Sequence, residues 1–278
     1  MPELPEVETV KQTLIPLVVG KRISECQVLY PRVLPKNHVN EFTADMINRK
    51  IITICRRGKY LLFLLDSKLL LVIHLRMTGQ LVFYPEKSAP LAKHTSAVFT
   101  FYDGGELRFV DQRKFGTIYL MPDSQLHIIS GLYTLGPEPL SKEFSSEILT
   151  KIVKSGRSIK SILLDQKKIA GLGNIYTDEV LYRARIHPKR PGSSLETAEI
   201  SALYRSIVTV LQEAIAAKGT TIKDYRTGDG DRGNFQNKLQ VYGKSGEACP
   251  TCNTLIQKTK ISGRSSHFCP NCQRWDKS

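Results

Sequence analysis

Four cysteines near the end of the chain constrain its fold more than any other feature. Cys249-Pro-Thr-Cys252 and Cys269-Pro-Asn-Cys272 form two C-x2-C pairs with sixteen residues between them. Pairs at this separation supply four thiolates to one tetrahedral ion. Four soft sulfur ligands and no implied redox chemistry select zinc. A pair of disulfides is the alternative. No basic segment followed by an apolar run heads the chain, so a secretory leader is not expected and the thiols should stay reduced. Four protein ligands leave no open position for water, which makes the zinc structural. A module of roughly thirty residues has little core, so the metal supplies its folding energy.

The remaining length is enough for two ordinary domains, and a hydrophobic fraction of 41% supports packed cores. Lys and Arg outnumber Asp and Glu by 40 to 26, a net charge of +14. Such an excess favours a polyanionic partner, nucleic acid first and an anionic membrane surface second. The most apolar stretch, YLLFLLDSKLLLVIHL, is interrupted by Asp66 and Lys68 and fits two strands better than a membrane-spanning helix. A cytoplasmic protein with no membrane partner is expected.

Residues 4–18 place Val7, Val10, Leu14, Leu17 and Val18 at helical spacing, with Pro5 in the first turn, where its missing N–H costs nothing. From about 21 to 120 the chain breaks into short aliphatic and aromatic runs (IITIC, YLLFLL, LLLVIHL, QLVFY, AVFTFY, ELRFV, TIYL) separated by turn signals. This predicts an antiparallel β-sandwich or barrel-like domain over 1–121. Pro and Gly mark 122–140 as an interdomain linker. Helical periodicity covers 141–218, with a helix starting at Ser141 or Ser145, a second at SIKSILLDQ, the punctuation IAGLGN, a third from Asn174, and a long one over about 195–217. Residues 219–242 begin with a polar, glycine-rich, mobile loop, and 243–278 form the zinc module. Its inter-knuckle segment QKTKISGRSSHF reads as a basic hairpin with Arg264 at the tip, placed for a phosphate or groove contact. Cys26 and Cys55 lie in apolar strand contexts and are expected to be buried.

MPELPEVETV raises a chemical reading. Removal of Met1 would leave Pro2 with a free secondary amine. An α-amino group titrates near pH 7.7–8.0, so roughly a tenth or more is neutral at pH 7. A neutral amine can attack an electrophilic carbon, and a secondary amine yields an iminium directly. Glu3 and Glu6 stand close in sequence for acid/base help. The competing reading is plain helix punctuation, with Glu3 favoured by the dipole.

MPELPEVETV, RRGKYL at 56–61, HLRMTG at 74–79, DQRKFG at 111–116, GLGNIYTDE at 171–179, the GTTIKDY loop and CPTC…CPNCQ together resemble bacterial formamidopyrimidine-DNA glycosylases, in order and nearly end to end. The sister endonuclease VIII family, directed at oxidised pyrimidines, usually opens PEGPE where this chain has PELPE. The resemblance implies an α+β multidomain fold: an N-terminal helix with an antiparallel β-sandwich, a helix-two-turns-helix domain and a four-cysteine zinc finger. It implies a monomeric, bifunctional repair enzyme, associated with the bacterial nucleoid through DNA and acting on damaged double-stranded DNA in a cleft between the two main domains. The enzyme would remove oxidised purines such as 8-oxoguanine and formamidopyrimidines, then cut the strand by β,δ-elimination through a Schiff-base intermediate. Zinc would be its only metal. An endonuclease VIII-like pyrimidine glycosylase and a non-catalytic damaged-DNA binder are the rival readings.

Carried over residue by residue, the resemblance makes Pro2 the nucleophile, Glu3 the acid/base residue, and Lys59 and Arg264 catalytic or phosphate-contacting cations. Met77, Arg113 and Phe115 would fill the gap left by an extruded base. Asn174, capping its helix after the close turn at Gly171 and Gly173, would grip the backbone with Lys160. His94, Lys223 and Tyr242 complete the DNA contacts; Cys249, Cys252, Cys269 and Cys272 hold the metal. Thr220, Thr221 and Tyr225 share the 219–237 segment that would close over the base. KHTS at 93–96 departs from the family's frequent KHDH, and Ser266 replaces a usual Thr.

Overall fold

In the computed structural model, residues 2–86 and 90–275 are described. Their contacts divide the chain into two compact units. The first joins residues 1–133 to 215–236, and the second joins 134–214 to 237–278.

The first unit opens with helix α1 (Leu4–Val18), whose Leu4, Val7, Val10, Leu14 and Val18 are buried along one stripe. Eight strands follow: β1 (Ile23–Val28), β2 (Ile51–Arg57), β3 (Tyr60–Leu65), β4 (Leu69–His74), β5 (Gly79–Tyr84), β6 (Thr95–Phe101), β7 (Glu106–Asp111) and β8 (Thr117–Pro122), with helix α2 (Val39–Met46) between β1 and β2. They form two four-stranded antiparallel sheets, ordered β1-β6-β7-β5 and β2-β3-β4-β8. Phe99, Phe101, Leu107 and Phe109 of one sheet and Leu61, Phe63, Leu71 and Ile73 of the other join a single core with α1 and with Phe42 and Met46 of α2. This is the expected sandwich. The suspect apolar stretch is the β3–β4 hairpin, turned at Asp66–Lys68.

Two elements escaped the sequence pattern. Strand β1 lies at a sheet edge and buries little more than Ile23 and Cys26, so its run looks polar. Helix α2 is short and buries only Phe42 and Met46. One expectation is corrected: Cys26 is buried, but Cys55 is exposed. Strand β2 is also an edge, and its pairing shifts register between Ile51 and Thr53. Ile54 then points into the core, and Cys55 falls on the opposite face.

The second unit is helical around a small metal-type module. Its helices are α4 (Ser146–Val153), α5 (Ile159–Leu164), α6 (Asn174–Arg183) and most of α7 (Thr197–Ala216); the single turn α3 (Ser130–Tyr133) closes the preceding part of the first unit. Helix α4 begins at the later of its two candidate starts: the Ser145 hydroxyl accepts the Ile148 N–H, an N-cap. The stretch 122–140 is not bare linker, since it holds a 3-10 segment at Asp123–Ile128 and α3. Strands β9 (Gln257–Ile261) and β10 (Arg264–Phe268) form the predicted hairpin. Ser262 and Gly263 make its two-residue turn with φ of 47° and 78°, the left-handed pair that a tight hairpin requires.

Candidate active site and nucleic-acid interface

Helix α1 presents the proposed chemistry at its N-terminus. Glu3 occupies the N-cap, and its carboxylate and that of Glu6 bond reciprocally to each other's backbone N–H. Such a capping box satisfies two otherwise orphaned donors. Pro2, Glu3 and Glu6 are all buried. Glu6 does more than cap. Its Oε2 accepts the Glu3 N–H at 2.8 Å, and its Oε1 accepts the Thr220 N–H at 2.7 Å. One carboxylate therefore fixes the backbone at the proposed nucleophile and the start of the 219–236 segment together. Gly219 makes this approach possible: its φ is +79°, and an added Cβ would sit 2.9 Å from Glu6 Oε1.

That segment is not the free loop expected from its composition. Tyr225 is buried in the sandwich core and donates its hydroxyl to Glu6 O at 3.3 Å. The Gly228 N–H donates to Thr13 Oγ1 at 2.8 Å, and the Phe83 N–H donates to Gly228 O at 2.8 Å. Thr221 spans the base of the segment, its N–H bonded to Gln236 Oε1 and its hydroxyl accepting the Gly233 N–H. Ile222 and Lys223 remain exposed at the tip. Glycines and polar residues conceal this order from a sequence reading, because the bonds run to α1 and β5.

Lys59 lies in the turn between β2 and β3, directly before the first residue of β3, and it is buried. Arg56 ties this turn to α1, donating to Glu8 Oε2 at 2.8 Å and to Gly58 O at 2.9 Å. Burial pushes the Glu8 carboxyl up, but the ion pairs with Lys11 and Arg56 outweigh it and hold the carboxyl below its usual range. His74 is structural. Its Nδ1 accepts the Arg76 N–H at 2.9 Å, and its ring meets the Tyr60 ring edge-on at 4.4 Å. Burial, reinforced by the charges of Arg76 and Lys59, pushes its pKa down to about 3.

Asp111 organises the remaining contacts of this unit, and sequence reading missed it. The residue is almost wholly buried. Oδ1 accepts the Thr78 hydroxyl at 2.5 Å and the Arg113 N–H at 3.2 Å; Oδ2 accepts the Gly116 N–H at 2.7 Å. Its own N–H donates to His94 O at 3.0 Å. The Asp111 carboxylate thus joins the β4–β5 loop carrying Met77 to the β7–β8 loop carrying Arg113 and Phe115, and its backbone N–H ties in the turn carrying His94. Phe115 is 54% exposed, and the Arg113 guanidinium sits 5.0 Å from its centre. Met77 is half-buried. The available signal was a carboxylate at the end of a strand, directly before the exposed QRKFG turn.

In the second unit, Gln166 shapes the turn before α6. Its amide nitrogen donates to Leu164 O and Leu172 O, and its oxygen accepts the Gly171 N–H at 3.0 Å. Gly173, not Asn174, is the N-cap, so Asn174 is the first helical residue. A glycine cap brings no side-chain acceptor to the first turn of α6. The expected role of Lys160 as a phosphate contact needs correction. Its side chain is fully buried, with Nζ bonded to Asp178 Oδ1 at 2.6 Å and Ser265 O at 2.7 Å. Asp178 Oδ2 accepts the His267 N–H at 2.9 Å and lies 3.1 Å from His267 Nδ1. Lys160 therefore ties α5 and α6 to β10, the strand that starts with exposed Arg264. Glu179, next on α6, accepts the N–H groups of Gln240, Val241 and Tyr242. Tyr242 is half-buried with its ring edge-on to His267.

Cys249, Cys252, Cys269 and Cys272 place their Sγ atoms within 4.8 Å of one another. Two of the sulfur–sulfur separations are 3.8 Å and 3.4 Å. Zn–S bonds of about 2.3 Å in a tetrahedron put sulfurs roughly 3.8 Å apart, so the donor set fits a zinc ion.

The site residues thus fall into two groups. Pro2, Glu3, Lys59, Met77, His94, Arg113, Phe115 and Lys223 belong to the first unit, and Lys160, Asn174, Tyr242, Arg264 and the four cysteines to the second.

Comparison with known proteins agrees along the whole length. Residues 1–118 match the formamidopyrimidine-DNA glycosylase N-terminal domain, 135–226 its H2TH domain, and 246–274 the zinc finger found in FPG and IleRS. The formamidopyrimidine-DNA glycosylase of Cytobacillus firmus is 49% identical over 263 residues, covering 94% of this chain and 95% of the relative. That of Pelotomaculum thermopropionicum is 46% identical over 262 residues, with the same coverage. A Lactococcus lactis Fpg in complex with DNA containing an abasic site superposes with a TM-score of 0.92 at 40% identity, covering 98% of this chain and all of that one. The same enzyme with DNA containing N7-benzyl-Fapy-dG gives 0.91. On this evidence the chain belongs to the formamidopyrimidine-DNA glycosylase family.

Proposed function

We propose that this protein removes oxidised purines from duplex DNA and then cleaves the strand at the resulting abasic sugar. The observation that carries the reading is the Glu6 carboxylate at the N-terminus of α1, which holds the Pro2–Glu3 backbone and the Thr220 segment at once. With Met1 removed, the neutral Pro2 nitrogen attacks C1′ of the damaged nucleotide. The glycosidic bond breaks, and its electron pair leaves with the base, which takes up a proton. Sugar-ring opening gives an iminium. Loss of a C2′ proton then expels the 3′ phosphate, and a second elimination expels the 5′ phosphate. Glu3, buried beside the amine in sequence, is the group to shuttle these protons. Lys59, in the turn held by Arg56, is the cation to neutralise charge at the sugar and its phosphates.

Met77, Arg113 and Phe115 are assigned to the gap in the duplex. An exposed aromatic ring next to a guanidinium offers a wedge and hydrogen-bond donors for the orphaned base. Asn174, the first residue of α6, and exposed Arg264 are assigned to phosphates. Zinc held by the four cysteines supplies folding energy to the hairpin and takes no part in the chemistry. With DNA as substrate, the protein works at the bacterial nucleoid.

Borohydride reduction in the presence of an 8-oxoguanine duplex tests the reading. Mature protein should yield a covalent protein–DNA species and 5′ and 3′ phosphate ends. Binding without trapping or cleavage would leave only a damaged-DNA binder. Preference for thymine glycol over 8-oxoguanine would move the specificity to pyrimidines.

A further inference from the structure

Helix α6 ends against the cysteine cluster through a residue that the proposed chemistry does not use. Tyr182 is 8% exposed and packs with Val241, Cys249, Ile256 and Cys269. Its hydroxyl lies 3.3 Å from Cys249 Sγ and 2.8 Å from Thr251 Oγ1. Cys249 is itself fully buried, so solvent does not substitute for this contact.

A metal-bound thiolate carries no proton, which fixes the polarity of the chain of hydroxyls. Tyr182 Oη–H donates to Cys249 Sγ, and Thr251 Oγ1–H donates to Tyr182 Oη. Four thiolates around one Zn²⁺ leave a net charge of about −2. In a buried setting that excess is costly unless donors face the sulfurs. Backbone N–H groups at Thr251 and Cys252 also face Cys249, and the Cys272 N–H faces Cys269 Sγ at 3.4 Å. Those donors belong to the C-x2-C turn itself. Tyr182 comes from a different element, the helix whose other end is the proposed phosphate grip.

We propose that Tyr182, oriented by Thr251, is an outer-sphere hydrogen-bond donor to the Cys249 thiolate and sets how tightly the zinc is retained. Partners of this kind are worth about 10–100-fold in metal affinity. The inference rests on the zinc assignment, so the zinc content of the wild-type protein is measured first. Absence of zinc there would sink the assignment itself, separately from the role of Tyr182.

Tyr182→Phe removes one oxygen and keeps the ring. Transfer of zinc from the full-length variant to a chromogenic chelator should be roughly tenfold faster than from wild type. In the cobalt-substituted proteins, loss of the donor should move the sulfur-to-cobalt charge-transfer band to lower energy. A purely packing role would leave that band in place. Thr251→Val leaves the Tyr182 ring untouched and should shift both readouts in the same direction by less; it also serves if the Phe variant does not accumulate. Wild-type release rates with an unmoved band in the variants that fold would overturn the proposal.

Discussion

Replacing Asp111 with Asn tests whether one buried carboxylate sets the geometry of the duplex-entering loops. The substitution keeps the shape and removes one acceptor. With the amide oxygen in the Oδ1 position, the new NH2 group would face the Gly116 N–H across the present 2.7 Å contact, donor against donor. With the amide flipped, Gly116 keeps its acceptor and the Thr78 hydroxyl can turn to accept from the amide. The Arg113 N–H then loses Oδ1 but retains Thr78 Oγ1 at 3.0 Å. The flipped form is the better one, and its cost is a single charge-assisted hydrogen bond, about 1.5–3 kcal/mol. For a folding unit of about 150–250 residues this lowers Tm by roughly 3–12 °C. Because the lost bond holds the Arg113–Phe115 turn, the same free energy is felt when that turn must enter the stack. Single-turnover excision from an 8-oxoguanine:cytosine duplex should slow about 10-fold or more. Cleavage of a preformed abasic site, which has no base to extrude, should slow much less. Melting within 1 °C of wild type and unchanged excision would refute the organising role of Asp111. Equal losses on both substrates would refute the assignment of these loops to base extrusion.

Two further outcomes follow from buried charges. Lys160→Met leaves the Asp178 carboxylate buried with only His267 as partner and should cost about 3 kcal/mol in urea unfolding of the zinc-loaded chain; the Lys160→Met/Asp178→Asn double variant should recover much of that loss, and a single-variant cost below about 1 kcal/mol would return Lys160 to solvent. His74 has a folded pKa of about 3, below the ordinary 6.5 of an unfolded histidine, so the unfolded chain takes up its proton first as pH falls, and stability present above the unfolded pKa is lost below it. Between pH 7.5 and 5.5 this group should cost about 1.4 kcal/mol, and His74→Gln should flatten that part of the stability–pH curve; an unchanged slope would show that His74 is not the source.

The metal module, the sandwich and the order of helices were legible in sequence because each follows from local rules. Thiol spacing fixes a tetrahedral site, alternation fixes a strand face, and a helical stripe fixes a buried one. Strand β1 and Cys55 escaped because edge strands answer to one neighbour, and a register shift reverses which face a side chain takes. Lys160 was misassigned for a related reason. A lysine is most often solvated, and only the chain's return at Ser265 and the approach of Asp178 show that its charge is already satisfied.

What the sequence determined by itself was the chemistry on offer: a secondary amine behind Met1, carboxylates at the start of a helix, an aromatic–guanidinium turn, and four sulfurs at metal-binding intervals. What only the tertiary structure decided was which buried carboxylates hold that chemistry in place. Glu6 reaches Thr220, Asp111 reaches Thr78, Arg113 and Gly116, and Asp178 reaches Lys160 and His267. The most distant of these partners lie far apart in sequence, and spacing along the chain carries no information about them. A buried carboxylate must find donors wherever the fold delivers them, and the donors it finds become the fixed points of the site.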